Sequence, residues 1–305
     1  MLEPSFLDRR TFLQHVLTAG AAVAGLDAAP CTARGPELSA HGARRCSPFF
    51  AFDNGTGRGV LPPEQQAKML KELGYDGIGY TGTQAIPQML EALDRHELKM
   101  FSTYVRADVG KEKASYDPGL PAAVKQLKGR GTAIWLHIVG KGARAQRQTV
   151  ELVREVAAMA ADNELPVITY PHTGMFVETV EDSARIAKQV NMPNVGASFN
   201  LCHWLKVDGD QLETRLRKAV PYLRLVSING ADAGNTRQMG WDRLIQPLGA
   251  GSYDVAAVVR LLNELGYRHP VGLQCYNVPG DRRANLQTSI AAWQRMCAAG
   301  IQRAP

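Results

Sequence analysis

Apolar residues recur along the chain in two alternating patterns. Short apolar runs of about four to eight residues are typical of buried strands, and they predict strands at 48–52, 76–81, 99–105, 132–139, 166–170, 194–199, 223–229 and 270–275. Segments with apolar residues three or four positions apart predict helices, and these cover 61–73, 84–96, 121–127, 145–163, 178–190, 210–220, 255–265 and 281–298. Strand–helix units that alternate in this way over about 250 residues predict a single α/β domain, a (β/α)8 TIM barrel.

An open, doubly wound sheet is the other architecture that alternating strands and helices can form. Such a sheet uses fewer units, and its nucleotide-binding members carry a glycine-rich phosphate loop after the first strand. The turn after the first predicted strand, Asp53 to Gly57, lacks the required glycine spacing. The barrel is therefore the favoured fold.

The stretch VGASFNLCHWLK, residues 195–206, joins a buried strand to a cluster of polar residues. We expect the strand to deliver Asn200, Cys202 and His203 to the end of the sheet, where extended chain gives way to a loop. Asn200 and His203 lie three positions apart at that point. We therefore expect both side chains to face one cavity.

The carboxyl ends of the strands carry the active site in a TIM barrel. The polar and aromatic residues at these ends are Asp53, Tyr80, Tyr104, His137, Tyr170, His172, Asn200, His203, Asn229, Gln274 and Tyr276. Histidine titrates near neutral pH, so the predicted catalytic residues are His137, His172 and His203. The predicted substrate-binding residues are Tyr80, Tyr104, Tyr170, Asn200, Asn229 and Gln274. A lining of this kind, rich in hydrogen-bonding groups and poor in charge, suits an uncharged polyhydroxylated ligand.

Each of these residues has an ordinary structural alternative. His137 could be a core histidine, His172 a surface loop residue, and His203 a residue that only packs beneath its neighbour Trp204. The tyrosines could be rim packing. The long loop after Asn229 could be a lid that brings Arg237 and Arg243 to the site, with Asp232 and Asp242 nearby, or a solvated surface loop.

The first thirty residues differ from the rest of the chain. Asp8-Arg9-Arg10-Thr11-Phe12-Leu13, the apolar run 16–26 and Ala28-Ala29-Pro30 together resemble a twin-arginine export signal. We expect residues 1–30 to be this signal, 31–46 to be a linker and 47–300 to be the barrel, which places the protein outside the cytoplasm, in the periplasm. The alternative is an N-terminal helix of the fold. The apolar run is too short for a membrane span, so no membrane association is expected after the signal is removed.

Charge and cysteine content limit the binding partners and the disulfide bonds that can be expected. The formal net charge is +6, but the basic residues are dispersed and do not alternate with aromatic residues, so no nucleic-acid partner is predicted. The five cysteines are too few and too scattered for a disulfide framework. A Cys31–Cys46 bridge is conceivable, whereas Cys202 and Cys275 are expected to be buried thiols.

Four stretches resemble the xylose isomerase-like barrels, the superfamily of sugar isomerases, epimerases and endonuclease IV type enzymes. They are VITYPHTGMFVETVED, PNVGASFNLCHW, LVSING and VGLQCY, and the resemblance spans about residues 47–300. It implies the TIM-barrel fold, a small-molecule carbohydrate ligand and the possibility of a homodimer. A nuclease activity is disfavoured because the full metal cluster and a basic surface are missing.

The resemblance also implies a divalent metal held by Glu, Asp, His and Glu. The matching positions here are Tyr170, Asn200, Ser227 and Gln274. Neutral amides and hydroxyls bring no charge to hold a divalent ion, and glutamine cannot act as a general base. The sequence therefore predicts a degenerate metal site.

Two enzymatic hypotheses remain open. In one, His137, His172 and His203 bind Zn²⁺ or Mn²⁺ in a metal-dependent lyase or isomerase. In the other, which lacks a metal cofactor, one histidine transfers protons in an isomerase- or epimerase-type reaction on a keto-sugar or glycoside. The second is favoured because no carboxylates that would orient metal-bound histidines are evident. A third hypothesis is a non-catalytic carbohydrate-binding barrel or an inactive partner subunit.

Overall fold

A computed structural model describes residues 46–302. The predicted export signal at 1–30 and the linker up to residue 45 lie outside the described residues. Within the described range, no helix combines the length and apolar character needed to cross a membrane.

Parallel strands close into a barrel, which confirms the predicted fold. The strands are β1 (Phe49–Phe52), β2 (Gly77–Thr81), β3 (Lys99–Asp108), β4 (Ser115–Tyr116), β5 (Ala133–Val139), β6 (Val167–Thr169), β7 (Val195–Asn200), β8 (Leu223–Ile228) and β9 (Val271–Leu273). All except β4 pair in parallel with their neighbours, and β1 pairs with both β2 and β9. The two-residue strand β4 pairs antiparallel to the end of β3, inside a segment predicted to be a loop.

Helices surround the barrel, and several of them are longer or shorter than predicted by a few residues. They are α1 (Asp53–Thr56), α2 (Pro63–Leu73), α3 (Ile86–Arg95), α4 (Leu120–Gln126), α5 (Ala145–Ala161), α6 (Val180–Val190), α7 (Leu201–Val207), α8 (Leu212–Ala219), α9 (Trp241–Leu244), α10 (Val255–Glu264) and α11 (Arg282–Gln302). The expected loop after Asn200 was wrong, because α7 begins there. Its first five residues are buried, so packing rather than an exposed face decides its conformation.

The interior of the barrel is filled by aromatic side chains. Phe50, Phe52, Trp135 and Tyr170 belong to one buried cluster that is separate from the larger hydrophobic core between strands and helices. Glycine at position 272 of β9 makes room for it, because a Cβ built there would lie 2.7 Å from the Phe50 ring. These rings close the barrel beneath its mouth.

A disulfide between Cys46 and Cys297 joins the start of the barrel to its last helix. The conceivable Cys31–Cys46 pairing is therefore wrong, since Cys46 is bonded to Cys297. The two Cα atoms lie 5.9 Å apart because α11 packs back beside β1. Cys202 and Cys275 are free and buried, as predicted.

Candidate functional site

A cavity of about 380 Å³ opens at the carboxyl ends of the strands. Its lining includes five of the predicted site residues, namely Tyr104, Tyr170, His172, His203 and Gln274, together with Tyr276. They come from β3, from the segments after β6 and β9, and from helix α7. The barrel thus gathers side chains that are up to about 170 positions apart in sequence.

The backbone of Thr173 determines which ring nitrogen carries the proton in His172 and in His203. Its carbonyl accepts a hydrogen bond from His172 Nδ1 at 2.8 Å, so His172 carries its proton on Nδ1. Its N–H donates to His203 Nδ1 at 3.4 Å, and its Oγ1 lies 3.2 Å from the same atom. His203 therefore carries its proton on Nε2, and the Nε2 of His172 keeps a lone pair.

The Tyr170 hydroxyl oxygen accepts a hydrogen bond from His203. His203 Nε2 lies 3.2 Å from the Tyr170 hydroxyl, and Gln274 Nε2 donates to the same oxygen at 3.5 Å. Burial raises the pKa of Tyr170 well above its ordinary value, so the hydroxyl stays protonated at neutral pH. Because His203 and Gln274 both donate to its oxygen, neither of them accepts the hydroxyl hydrogen of Tyr170.

Gln274 is held rigidly by its own strand end. Its Oε1 accepts hydrogen bonds from the backbone N–H of Cys275 at 3.0 Å and of Tyr276 at 3.1 Å. The Asn54 side chain donates to the same oxygen at 3.0 Å. The amide oxygen is therefore saturated, and the Nε2 group is the end that faces Tyr170.

His137 is buried next to the cavity and does not line it. Its ring stacks on Tyr104, with centroids 5.0 Å apart, and lies 5.4 Å from the His172 ring. Its Nε2 has no hydrogen-bond partner among the described residues. Burial, with help from His172 and Arg106, lowers the pKa of His137 to about 4.

We expect His137 to make the folded state sensitive to acid. Between about pH 6.5 and pH 4 the unfolded chain binds a proton at this residue and the folded protein does not, so stability falls as the pH falls. Chemical unfolding at several pH values measures this effect. As the pH falls across this window, the free energy of unfolding of wild type should decrease by up to about 1.4 kcal/mol per pH unit more than that of His137→Gln. Parallel pH curves for the two proteins would contradict the neutral, buried state of His137.

Three other predicted residues also lie away from the cavity lining. Tyr80 donates to the Gln84 carbonyl at 2.6 Å; it faces away because side chains alternate along β2, and Thr81 lines the cavity instead. Asn200 is buried, and its Oδ1 accepts from the Cys202 thiol at 3.2 Å. Asn229 donates to the carbonyls of Gly230 and Leu244, so it holds the loop that follows β8.

That loop does not bring charge to the cavity. Arg237 donates to the Asp208 carbonyl, and Arg243 pairs with Asp232 at 2.8 Å. The loop contributes Trp241 and Ile245 to the cavity wall instead. The lid that would carry Arg237 and Arg243 into the site is therefore not formed.

Sequence reasoning missed seven residues of the lining. They are Phe52, Asn54, Arg58, Thr81, Trp135, Trp241 and Ile245. Strand alternation could have found Trp135, because it lies two positions before His137 on the same face of β5. Nothing in the local sequence marks Arg58, which lies in the turn after α1, or Trp241, which begins the four-residue helix α9.

The residues at the family's metal positions do not fit a divalent ion. Tyr170, Asn200, Ser227 and Gln274 are all neutral and buried, and both ring nitrogens of His203 already have protein partners. In the part of the chain that the structure describes, no three or more His, Cys, Asp or Glu side chains are grouped so that they could hold a metal ion.

Comparison with known proteins identifies the family of this barrel. The model of the xylose isomerase-like TIM barrel family matches residues 126–296, more than half of the chain. No curated protein matches the chain at a significant level.

Several solved structures share the fold. The IolI protein with a binding zinc atom is 15% identical, with a TM-score of 0.67, and the match covers 82% of this chain and 98% of that one. D-allulose 3-epimerase from Methylomonas sp. is 15% identical, with a TM-score of 0.67, covering 83% and 98%. The 3-keto-D-glucoside 4-epimerase YcjR from E. coli is 16% identical, with a TM-score of 0.61, covering 82% and 99%. The family match and this shared barrel show that the chain belongs to the xylose isomerase-like TIM barrel family.

Proposed function

We propose that the protein is a carbohydrate isomerase or epimerase that moves a proton beside a carbonyl group by histidine chemistry, without a metal. The observation that carries the proposal is the pairing of His172 and His203 through Thr173. One ring offers a basic nitrogen at the cavity, and the other supports a tyrosine hydroxyl that can donate. An enolisation needs these two groups together.

His172 is the proposed general base. Its Nδ1 proton is held by the Thr173 carbonyl, and burial lowers its pKa below the ordinary value, so the ring is neutral at pH 7. Nε2 takes the proton from the carbon beside the sugar carbonyl, and the electron pair of that C–H bond moves to the carbonyl oxygen. For the epimer, a water molecule on the opposite face gives a proton to the same carbon, the carbonyl re-forms, and His172 releases the proton it took to solvent. For the isomer, His172 returns its proton to the former carbonyl carbon, the enolate oxygen takes a proton from the Tyr170 hydroxyl, and the hydroxyl of the donor carbon gives its proton back to Tyr170 as it becomes the new carbonyl.

Tyr170 is the proposed hydrogen-bond donor to the developing enolate oxygen. Its hydroxyl oxygen is supported by His203 Nε2 and Gln274 Nε2, which makes its own hydrogen a better donor. Such a donor stabilises negative charge most strongly in a partly dry site. His203 acts through Tyr170 and is a positioning residue.

The walls of the cavity support a carbohydrate ligand. Tyr104, Trp135 and Trp241 present aromatic surface, which can bury the apolar C–H face of a sugar ring. Amide and hydroxyl groups between them can bind the ring hydroxyls. Sugar epimerases among the structural neighbours support the same ligand class.

We further propose that the protein is exported through the twin-arginine route and works in the periplasm. The Cys46–Cys297 disulfide supports this, because disulfides persist mainly in oxidising compartments. The barrel would then cross the membrane already folded.

Hydrogen exchange tests the proposed chemistry directly. Wild-type protein in D₂O should introduce deuterium beside the carbonyl of D-fructose, D-allulose or methyl 3-keto-α-D-glucoside, faster than buffer alone, as followed by NMR. The rate should fall as the pH drops through the lowered pKa of His172, because the protonated ring is no base. Binding of these sugars with no exchange in any of them would instead support a non-catalytic carbohydrate-binding barrel.

A further inference from the structure

Arg58 brings a positive charge to a cavity that is otherwise neutral. The described residues that line the cavity include no lysine and one arginine, Arg58. The side chain of Arg58 is 48% exposed. The imidazoles of His172 and His203 do not add charge near neutral pH, since burial lowers the pKa of each. Among the described lining residues, the guanidinium group of Arg58 is therefore the one positive charge near neutral pH, and the buried Asp53 carboxylate lies 3.9 Å behind it.

The nearest carboxylate does not use the hydrogen-bonding capacity of Arg58. Asp53 is 1% exposed, and Arg58 Nε lies 3.9 Å from its Oδ1, which is too far for a hydrogen bond. Both carboxylate oxygens instead accept from Thr81, Oδ2 from the backbone N–H at 2.8 Å and Oδ1 from the hydroxyl at 2.7 Å. Asp53 is satisfied by a neutral residue and attracts Arg58 only through space.

Arg58 thus lines the cavity with a guanidinium group that is not hydrogen-bonded to Asp53. Its N–H groups form a planar pair that matches the two oxygens of a carboxylate. Within residues 46–302, the Arg58 side chain donates no hydrogen bond, and its contact with Asp53 is 3.9 Å long. A ligand that carries a carboxylate would supply the missing hydrogen-bond acceptors.

We propose that Arg58 binds a carboxylate on the sugar, so that the protein prefers acidic sugars, such as hexuronates, to neutral sugars. This inference rests on the proposed function and narrows its substrate. A phosphate group also binds arginine, but no second cation lines the described cavity to balance its additional charge. One guanidinium group matches the single charge of a carboxylate.

Matched ligand pairs test the inference by isothermal titration calorimetry on the purified protein. D-glucuronate is compared with D-glucose, and D-galacturonate with D-galactose, since each pair differs in one carboxylate at C6. D-glucose 6-phosphate is a third arm. In at least one pair the acid should bind wild type about 10-fold or more tightly than the neutral sugar, as expected for a charge-assisted hydrogen bond, and the phosphate should bind less tightly than the acid.

Variants assign the effect to Arg58. Arg58→Gln should bring the ratio of the affinities for the acid and the neutral sugar to about 1, and Arg58→Lys should keep part of the preference because it retains charge without the fork. Arg243→Gln is the control, because Arg243 is 53% exposed, pairs with Asp232 and lies outside the lining. Thermal unfolding of each variant verifies that it is folded.

Three results would overturn the inference. The acid could bind wild type no more tightly than the neutral sugar in both pairs, Arg58→Gln could weaken both members equally, or the phosphate could bind more tightly than either acid. In all three, neutral sugars still bind, so the proposed function survives. If no sugar in the set binds, the carbohydrate function itself is contradicted and the inference falls with it.

Discussion

Replacement of His172 by asparagine is expected to slow proton exchange beside the sugar carbonyl by about 10²- to 10⁴-fold, the usual contribution of a positioned general base. Asparagine keeps an N–H group that can donate to the Thr173 carbonyl, as His172 Nδ1 does at 2.8 Å. It lacks the second ring nitrogen that would take the proton. The variant should therefore exchange protons more slowly and still fold like wild type.

The same NMR exchange assay measures this effect, and calorimetry with the same sugar measures binding. Affinity for the sugar should stay within about 10-fold of wild type, because aromatic walls and amides provide most of the contact surface. His269→Asn is the matched control, since His269 lies outside the cavity lining. An exchange rate for His172→Asn that equals the rate of His269→Asn would refute the assignment of His172 as the base.

Loss of the Cys46–Cys297 disulfide is expected to lower the free energy of unfolding by about 2–5 kcal/mol. The two cysteines are 251 positions apart, so the bond closes almost the whole barrel domain into one loop and restricts the unfolded chain. A barrel also needs its first and last elements together, because β1 and β9 pair to close it. The midpoint of urea unfolding should therefore fall in the Cys46→Ser/Cys297→Ser variant.

A reductant provides the internal control. Dithiothreitol should lower the unfolding midpoint of wild type toward that of the double variant and leave the double variant unchanged. Cys202 and Cys275 are free thiols in both proteins, so they cannot produce the difference. Equal midpoints for oxidised and reduced wild type would show that the bond does not contribute to stability.

Hydrogen bonds through Thr173 and His203 connect His172 with Tyr170. Thr173 places a carbonyl against one histidine and an N–H against the other, so a single peptide segment after β6 sets both tautomers. A family that ordinarily uses a metal and two glutamates would need another base and another stabiliser of negative charge once these residues are replaced. We propose His172 and Tyr170 for those two tasks.

Strand positions were predictable because their pattern is local. Apolar runs bounded by turns specify where a strand begins and ends, and all eight predicted strands overlap the barrel strands to within a few residues. The short helices α1 and α7 were not predictable in the same way. At four and seven residues they show too little periodicity, and their conformation depends on burial beneath the barrel mouth.

The sequence by itself determined the barrel, the strand ends and the buried thiols Cys202 and Cys275. Only the tertiary structure decided which side chains share the cavity: it turns Tyr80 outward, ties Asn229 to a loop and brings in Arg58 and Trp241. It also paired Cys46 with Cys297. The physical reason is the range of the interactions, because periodicity acts over a few residues, whereas the direction of a side chain at a strand end depends on hydrogen bonds and packing with residues far away in sequence.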